Sequence, residues 1–350
     1  MSNSPRQFPE GFVPLLSFEG TSFECGEQLG LAWQHSLKLN AELACAHGWT
    51  PWWWKGRGGV VADVVERVAP HLVAIYRGMA KGAGIDEALC TPGPIAQPFD
   101  EGCTSFGIHK SLTLDGHALT GQTKDTGFTR TPFYQVLRLK PSDGPGYLTL
   151  TYPGELLGHG FASPGMGLFR NALFVTMPRK GELPFDAFGL LVSFSKSLDD
   201  AIELTRRHGV RLTAHVTVTD ATGRSAGIET AGGEVEIIQP RDGVYVHANH
   251  TVTDRFKPRI TPQDDEQQCA GASEHRQQRL TDLINLDRGR LTPQLMLHNL
   301  SDHANYPASI CSHRGRDYHT TAAVVAEPSR GLLHVTRGAP CQNWPQTYRL

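Results

Sequence analysis

The sequence predicts an α+β fold in which helices cover antiparallel sheets. Three observations carry that expectation. Residues 1–90 read mainly helical, whereas from Cys103 onward short alternating runs follow one another, parted by turn signals such as Asp115-Gly116. Helices come in blocks before and among these strands, which suits α+β layers. No Gly-x-Gly-x-x-Gly follows a strand and no phosphate-binding loop is present, so nothing favours a doubly wound sheet.

The elements follow in chain order. After "FEGTSFECGEQLG", Ser22 can cap a helix that runs to about Ala46. Val60 to Gly82 is a second helical region, interrupted near Pro70 and closed by Gly82 and Gly84. Between them "HGWTPWWWKGRGG" packs four tryptophans into six residues, either a core plug or the wall of an apolar pocket, the plug being commoner. "CTSFGIHKSLTLDGHALTGQTKD" holds two alternating runs, and a two-residue turn at Asp115-Gly116 would join them. That turn sets Thr104 to Phe106 opposite Asp125 to Gly127. "GYLTLTYPG", "RNALFVTM" and "FGLLVSFS" are further strands. Ser197 with Asp200 starts a helix over Leu198 to Arg207. A meander follows in "TAHVTVTD", "SAGIET", "VEIIQP" and "GVYVHANH". Helices are expected near Glu274–Leu286 and Pro293–Leu300, the second with Thr292 as cap. "TTAAVVAE", the turn "PSRG" and "LLHVTRG" close the chain.

Composition excludes several classes. Hydrophobic residues make up 39% of the 350 and charged ones 19%, a foldable and not a disordered balance. A net charge of −2 gives no electrostatic case for a nucleic-acid or membrane-surface partner. No apolar run reaches the roughly 18 residues of a membrane helix. The opening "MSNSPRQFPEGF" lacks the pattern of a secretory signal, so a cytoplasmic protein is expected. The seven cysteines are odd in number and never spaced Cys-x-x-Cys, which argues against a disulfide framework and a thiolate zinc cluster.

One cysteine stands out. Cys103 follows Gly102 at the mouth of a strand, behind the proline-rich "CTPGPIAQP". A lone cysteine is more often a buried structural residue. Here, however, a glycine precedes it, the easiest residue to hold in a strained conformation. The expected hairpin also brings the Asp125 carboxylate within about 10 Å along the ladder. His247 and His250 in "HANH" lack the spacing and third ligand of a common zinc site, so no metal is expected there.

"DEGCTSF", "LDGHALTGQTKD", "SLDDAIELTRRHG", "VTVTDATGRSAGIET", "DGVYVHANH" and "SICSH…TTAAVVAEPSRGLLHVTRGAP" occur in the order and spacing of a known family. The sequence resembles the N-terminal-nucleophile (Ntn) cysteine hydrolases of the acyl-CoA:6-aminopenicillanate acyltransferase type. "FEGTSFECGEQLG" resembles that family's opening. The resemblance implies a four-layer αββα sandwich of two antiparallel sheets. It implies self-cleavage between Gly102 and Cys103 into an α-chain of residues 1–102 and a β-chain of 103–350, together one domain. Cys103 would then be the nucleophile, and its new α-amine, with an ordinary pKa of about 7.7–8.0, the base. Asp125 would orient the nucleophile and Asn249 would donate to the oxyanion. An arginine is expected near the C-terminal strand. The family usually has it where this chain has Ser312, which leaves Arg314 or Arg316, with Arg314 preferred. Gln122, Thr123, Phe161 and Asn171 are the substrate-binding side chains implied. Thr123-Lys124 stands where Asn-Trp is usual, and Ser163 or Pro164 where Asn is usual, so pocket chemistry has diverged.

The reading is a self-processing amidase or acyltransferase acting on a small N-acyl compound through an acyl-thioenzyme, penicillin-type or acyl-CoA-dependent transfer included. It needs no cofactor beyond an optional acyl-CoA co-substrate. Its partners are the small-molecule amide or acyl donor and its own two chains, with a homo-oligomer allowed. The alternatives are a metal-dependent hydrolase built on the 16 histidines and a non-catalytic binding protein on the same fold.

Overall fold

The computed structural model describes residues 11–46, 65–67, 69–90, 102–156, 158–163, 165–173, 195–210, 213–257, 264–315 and 319–350. The tryptophan cluster, the segment 91–101 before Gly102, most of "FGLLVSFS", Pro164 and Arg316 lie outside the described residues.

Two sheets form the centre. The strands of the first are β1 (Leu15–Gly20), β4 (Gln135–Pro141), β5 (Tyr147–Thr151), β6 (His159–Ala162), β7 (Met166–Ala172), β8 (Ala214–Thr219), β9 (Ser225–Ala231) and β10 (Glu234–Ile238), in that order. The second runs β11 (Val244–His247), β2 (Gly102–Ile108), β3 (Leu119–Thr126), β12 (His319–Glu327), β13 (Leu332–Arg337) and β14 (Gln346–Arg349). All described pairings are antiparallel except β1 with β4.

Helices cover both outer faces. Against the eight-stranded sheet lie α1 (Ser22–Ala32), α2 (Gln34–Ala46), α3 (Pro70–Ala83) and α4 (Leu198–His208). Cys25, Leu29, Ile75 and Met79 pack there with Leu137, Tyr147 and Val216. Against the six-stranded sheet lie α5 (Asp264–Leu286) and α6 (Pro293–Leu300), where Leu280, Ile284 and Met296 meet Phe106, Ile108, Ala323 and Val325. A third core fills the space between sheets, joining Val136, Leu148, Phe161 and Phe169 to Val324, Leu333 and Val335. The order is helices, sheet, sheet, helices: the expected αββα sandwich. It explains why β12 reads as an unbroken apolar run, since Ala323 and Val325 serve one core while Ala322, Val324 and Ala326 serve another.

Several local expectations are corrected. The helix after Gly20 is capped by Thr21, not Ser22: Thr21 Oγ1 accepts from the Glu24 N–H and Glu24 reaches back to the Thr21 N–H. Ser22 instead holds Asp143 through its N–H and its hydroxyl. The expected single helix over 22–46 breaks at Trp33 into α1 and α2. β1, β4, β6 and β14 are strands beyond those expected. β6 and β14 have only four residues each, too few to show a period, and β1 sits inside a region read as helical. α5 begins ten residues earlier than expected.

The hairpin around Cys103 also differs. Asp115-Gly116 is not a two-residue turn. β2 stops at Ile108, a short 3-10 turn fills Lys110–Leu112, and β3 starts at Leu119. The longer loop changes the register, so Thr104 faces Thr123 and Gly102 faces Asp125. Asp125 therefore stands directly across from Gly102, nearer than the tight turn would put it.

Candidate active site around Cys103

Gly102 and Cys103 are consecutive residues at the start of β2, in the interior of the six-stranded sheet between β11 and β3. Side chains alternate across a strand. Cys103 and Ser105 share one face with their cross-strand partners Lys124 and Gln122, turned toward the eight-stranded sheet. On that face Gln122 Nε2 donates to Cys103 Sγ at 3.5 Å, and Ser105 Oγ donates to Asn171 Oδ1 at 2.7 Å. Lys124 Nζ lies 3.2 Å from His159 Nε2 of β6. The opposite face carries Thr104, Thr123 and Asp125 and meets α5.

On this second face Arg276 of α5 joins the backbone of Cys103 to its neighbours. Its Nη1 donates to the Cys103 carbonyl at 2.9 Å and to Thr104 Oγ1 at 2.8 Å. Its Nη2 donates to Asn249 Oδ1 at 2.7 Å, and Nη1 stands 3.7 Å from Asp125 Oδ2. Asn249 Oδ1 also accepts the Cys103 N–H at 3.0 Å. The asparagine is held from behind: its Nδ2 donates to the Ala172 carbonyl at 2.8 Å and its N–H to Ser273 Oγ at 2.6 Å.

Asp125 is fully buried. Burial pushes its pKa up to about 6, against the pull of Arg276, a hydrogen bond from Thr320, and the charges of Arg314 and Lys124. Thr320 Oγ1 donates to Asp125 Oδ1 at 2.6 Å, while Oδ2 has no hydrogen-bond partner among the described residues. Behind Asn249, the buried His247 Nε2 meets Glu229 Oε1 at 3.0 Å, and the rings of His247 and His215 stack at 3.6 Å. Burial, helped by the nearby His247, lowers the His250 pKa to about 4, and its Nδ1 contacts Ser273 Oγ at 2.8 Å.

The sequence-expected residues are thus placed as follows. Cys103, Gln122, Asp125 and Asn249 converge on the first residues of β2. Thr123 is adjacent, its Oγ1 accepting from the Thr104 N–H at 3.3 Å. Arg314, half-buried, acts on Asp125 through charge. Asn171 is buried in a polar network with Ser105 and His215, and Phe161 is fully buried in the core between the sheets. Arg276 is the residue sequence reasoning passed over. A signal existed: Ala272, Arg276, Leu280 and Ile284 recur every four residues and are all buried, so a guanidinium occupies the apolar stripe of α5.

Comparison with known proteins adds to this geometry. A family model described as acyl-coenzyme A:6-aminopenicillanic acid acyl-transferase matches residues 113–340, a stretch that holds Asp125, Asn249, Arg276 and Arg314 and begins after Cys103. Solved structures similar to this chain include a variant of conjugated bile acid hydrolase from Clostridium perfringens, 14% identical over 71% of this chain and 97% of that one, with a TM-score of 0.48. They also include penicillin V acylase from Agrobacterium tumefaciens, 13% identical over 71% and 86%, at 0.46. A third is the N-acylethanolamine-hydrolyzing acid amidase ortholog of Caenorhabditis elegans, 13% identical over 65% and 93%, at 0.44. No curated protein matches the sequence.

Proposed function

The chain belongs to the acyl-coenzyme A:6-aminopenicillanic acid acyl-transferase family, and on that premise we propose a self-cleaving thiol enzyme that breaks or exchanges the amide of a small N-acyl compound. The observation that carries the reading is the hold on the Cys103 nitrogen, whose N–H donates to an Asn249 oxygen itself fixed by Arg276.

Processing comes first. The Cys103 thiol attacks the Gly102 carbonyl, the peptide C–N bond breaks as the nitrogen takes up the thiol proton, and a Gly102 thioester remains. Water hydrolyses the thioester, giving a Gly102 carboxylate and a free thiol. The former peptide nitrogen is now an α-amine, basic enough near neutrality to accept the thiol proton. Asn249 Oδ1 then receives one of its hydrogens and fixes its direction.

Turnover uses the same atoms. The thiolate attacks the substrate carbonyl, and the oxyanion is stabilised by a neutral donor, a term commonly worth about 2.7–4 kcal/mol of barrier. Asn249 Nδ2 carries two hydrogens and gives one to Ala172, so the other is the proposed donor. The α-ammonium returns its proton to the leaving amine as the C–N bond breaks. Water, or an acceptor amine, then takes the acyl group from sulfur. Asp125, opposite Gly102, orients this terminus through Arg276, and Arg314 adds to the positive charge around it. Gln122, which donates to the sulfur, and Asn171, bound to Ser105 on the same face, are the proposed substrate-side groups. Thr123 lies on the opposite face and steadies the Thr104 N–H, and Phe161 belongs to the core between the sheets.

The test is a denaturing gel with intact mass, followed by a panel of N-acyl amides and acyl thioesters. Wild type should give two fragments that split before Cys103, and Cys103→Ala one full-length band without turnover. An uncut chain whose turnover survives that substitution refutes the proposal.

A further inference from the structure

Away from Cys103, the loop after α6 and the turn after β13 bring four ligand-type side chains together. His303, Cys311, His313 and Cys341 have one ligand atom each within 4.8 Å of all the others. The individual distances are informative. His303 Nε2 and His313 Nε2 are 3.1 Å apart, and His313 Nε2 is 3.5 Å from each sulfur. The two sulfurs are 3.6 Å apart.

A tetrahedral zinc ion with Zn–S of about 2.3 Å and Zn–N of about 2.0–2.1 Å spans edges of about 3.8 Å for S···S, 3.6 Å for S···N and 3.4 Å for N···N. The four measured edges match those values within about 0.3 Å, and the two from His303 to the sulfurs lie within 4.8 Å. A disulfide would need the sulfurs at about 2.05 Å and would leave two imidazole nitrogens aimed at the same point without a reason. Soft sulfur and imidazole donors in a tetrahedral set are the chemistry of zinc. We infer that His303, Cys311, His313 and Cys341 form a Cys2His2 zinc site.

All four positions are protein ligands, so the site is closed and structural, with no place for a reacting water. Its position in the fold gives it a use. Ser312, between two ligands, donates its N–H to Thr320 Oγ1 at 2.7 Å, and that hydroxyl donates to Asp125 Oδ1 at 2.6 Å. The ion would pin the 301–315 segment to the turn at Cys341, fixing from outside the hydroxyl that holds Asp125. The ligands come from two loops separated in sequence, which is why Cys-x-x-Cys spacing gives no hint of them.

Metal analysis of the full-length protein, purified with reductant and without chelator, tests the site. One zinc per chain is expected, and cobalt(II) in its place should give the intense visible absorption of a tetrahedral thiolate centre. His303→Ala and Cys341→Ser change exposed positions and should each lose most of the bound metal and lower the melting temperature toward that of chelator-treated wild type. Zinc should shield Cys311 and Cys341 from alkylation in wild type. Cys103→Ala should keep its zinc, which separates this inference from the cleavage proposal. Three results overturn it: reduced protein that fails to bind zinc chloride, metal content unchanged in both variants, or a Cys311–Cys341 disulfide in the intact mass of freshly purified protein.

Discussion

Arg276 Nη2 donates to Asn249 Oδ1 at 2.7 Å, and that same oxygen accepts the Cys103 N–H at 3.0 Å. A helix residue and a strand-end residue thereby fix the nitrogen that cleavage would turn into an amine. Removing the guanidinium takes a cation from beside buried Asp125 and leaves the Cys103 carbonyl and Asn249 Oδ1 without its hydrogen bonds, at about 1–3 kcal/mol for each buried group left unmet. Arg276→Met should therefore lower the melting temperature and reduce fragment formation. Arg276→Lys keeps the charge without the fork and should recover stability better than cleavage, which thermal melts beside a cleavage time course would read.

The Asp125 carboxyl gives a pH signature. Its pKa is raised to about 6, chiefly by burial, so the fold favours the neutral form. Its contribution to stability is complete below its ordinary value of 3.8 and is lost as pH rises through about 6. If the ionised form does the work, turnover has an acid limb near pH 6. Arg276 is the largest influence lowering that pKa, so Arg276→Lys should leave the limb in place while Arg276→Met moves it upward. A profile of kcat/KM against pH that stays flat from 5 to 7 would count against a role for Asp125.

Glu229 has the opposite sign. Burial raises its pKa, but hydrogen bonds from His247, Thr253 and Val252 and the His247 charge outweigh that, leaving it below 4.5. The stability it provides is present above its ordinary value and lost as pH falls through the lowered one. Glu229→Ala should cost about 3 kcal/mol or more at neutral pH, because Val252, Thr253 and His247 lose their shared acceptor. Acid denaturation should then show a shallower loss than in wild type. Urea titrations at pH 4 and 7 give both numbers.

The packing of α1 on α3 offers a test free of electrostatics. Gly26 and Gly30 face Gly78 and Gly82, and a Cβ on any of the four would overlap a backbone oxygen of the facing helix. Gly30→Ala should destabilise by about 1–3 kcal/mol through overpacking, although alanine is the better helix former. A melting temperature equal to wild type would mean that the helices can part at no cost.

How much of this could be read beforehand follows from where the information sits. β8, β9 and β12 were legible because turns and apolar runs bound them. β1 and β4 were not: "LLSFEG" lies in a region that reads as helical, and its partner "QVLRLKP", which also pairs with β5, is more than a hundred residues away. Cys103, Asp125 and Asn249 were reachable through motif order, and the true register brings Asp125 closer than a tight turn implied. Arg276 was not legible because the family pattern points to a cation near the C-terminal strand, while this guanidinium reaches Asn249 and Asp125 from the buried stripe of α5. The His303–Cys341 cluster escaped because only the sandwich brings its two loops together.

The pairing of β1 with β4 carries one more consequence. Residues before Gly102 contribute an edge strand and α1, α2 and α3, and Val13 and Phe12 are tied to Gln346 and Arg337 of the C-terminal hairpin. Severing the chain after Gly102 would therefore free an end without freeing a piece. The two products should elute together as one particle in gel filtration and part only in denaturant, like a molecule that has been opened but not taken apart.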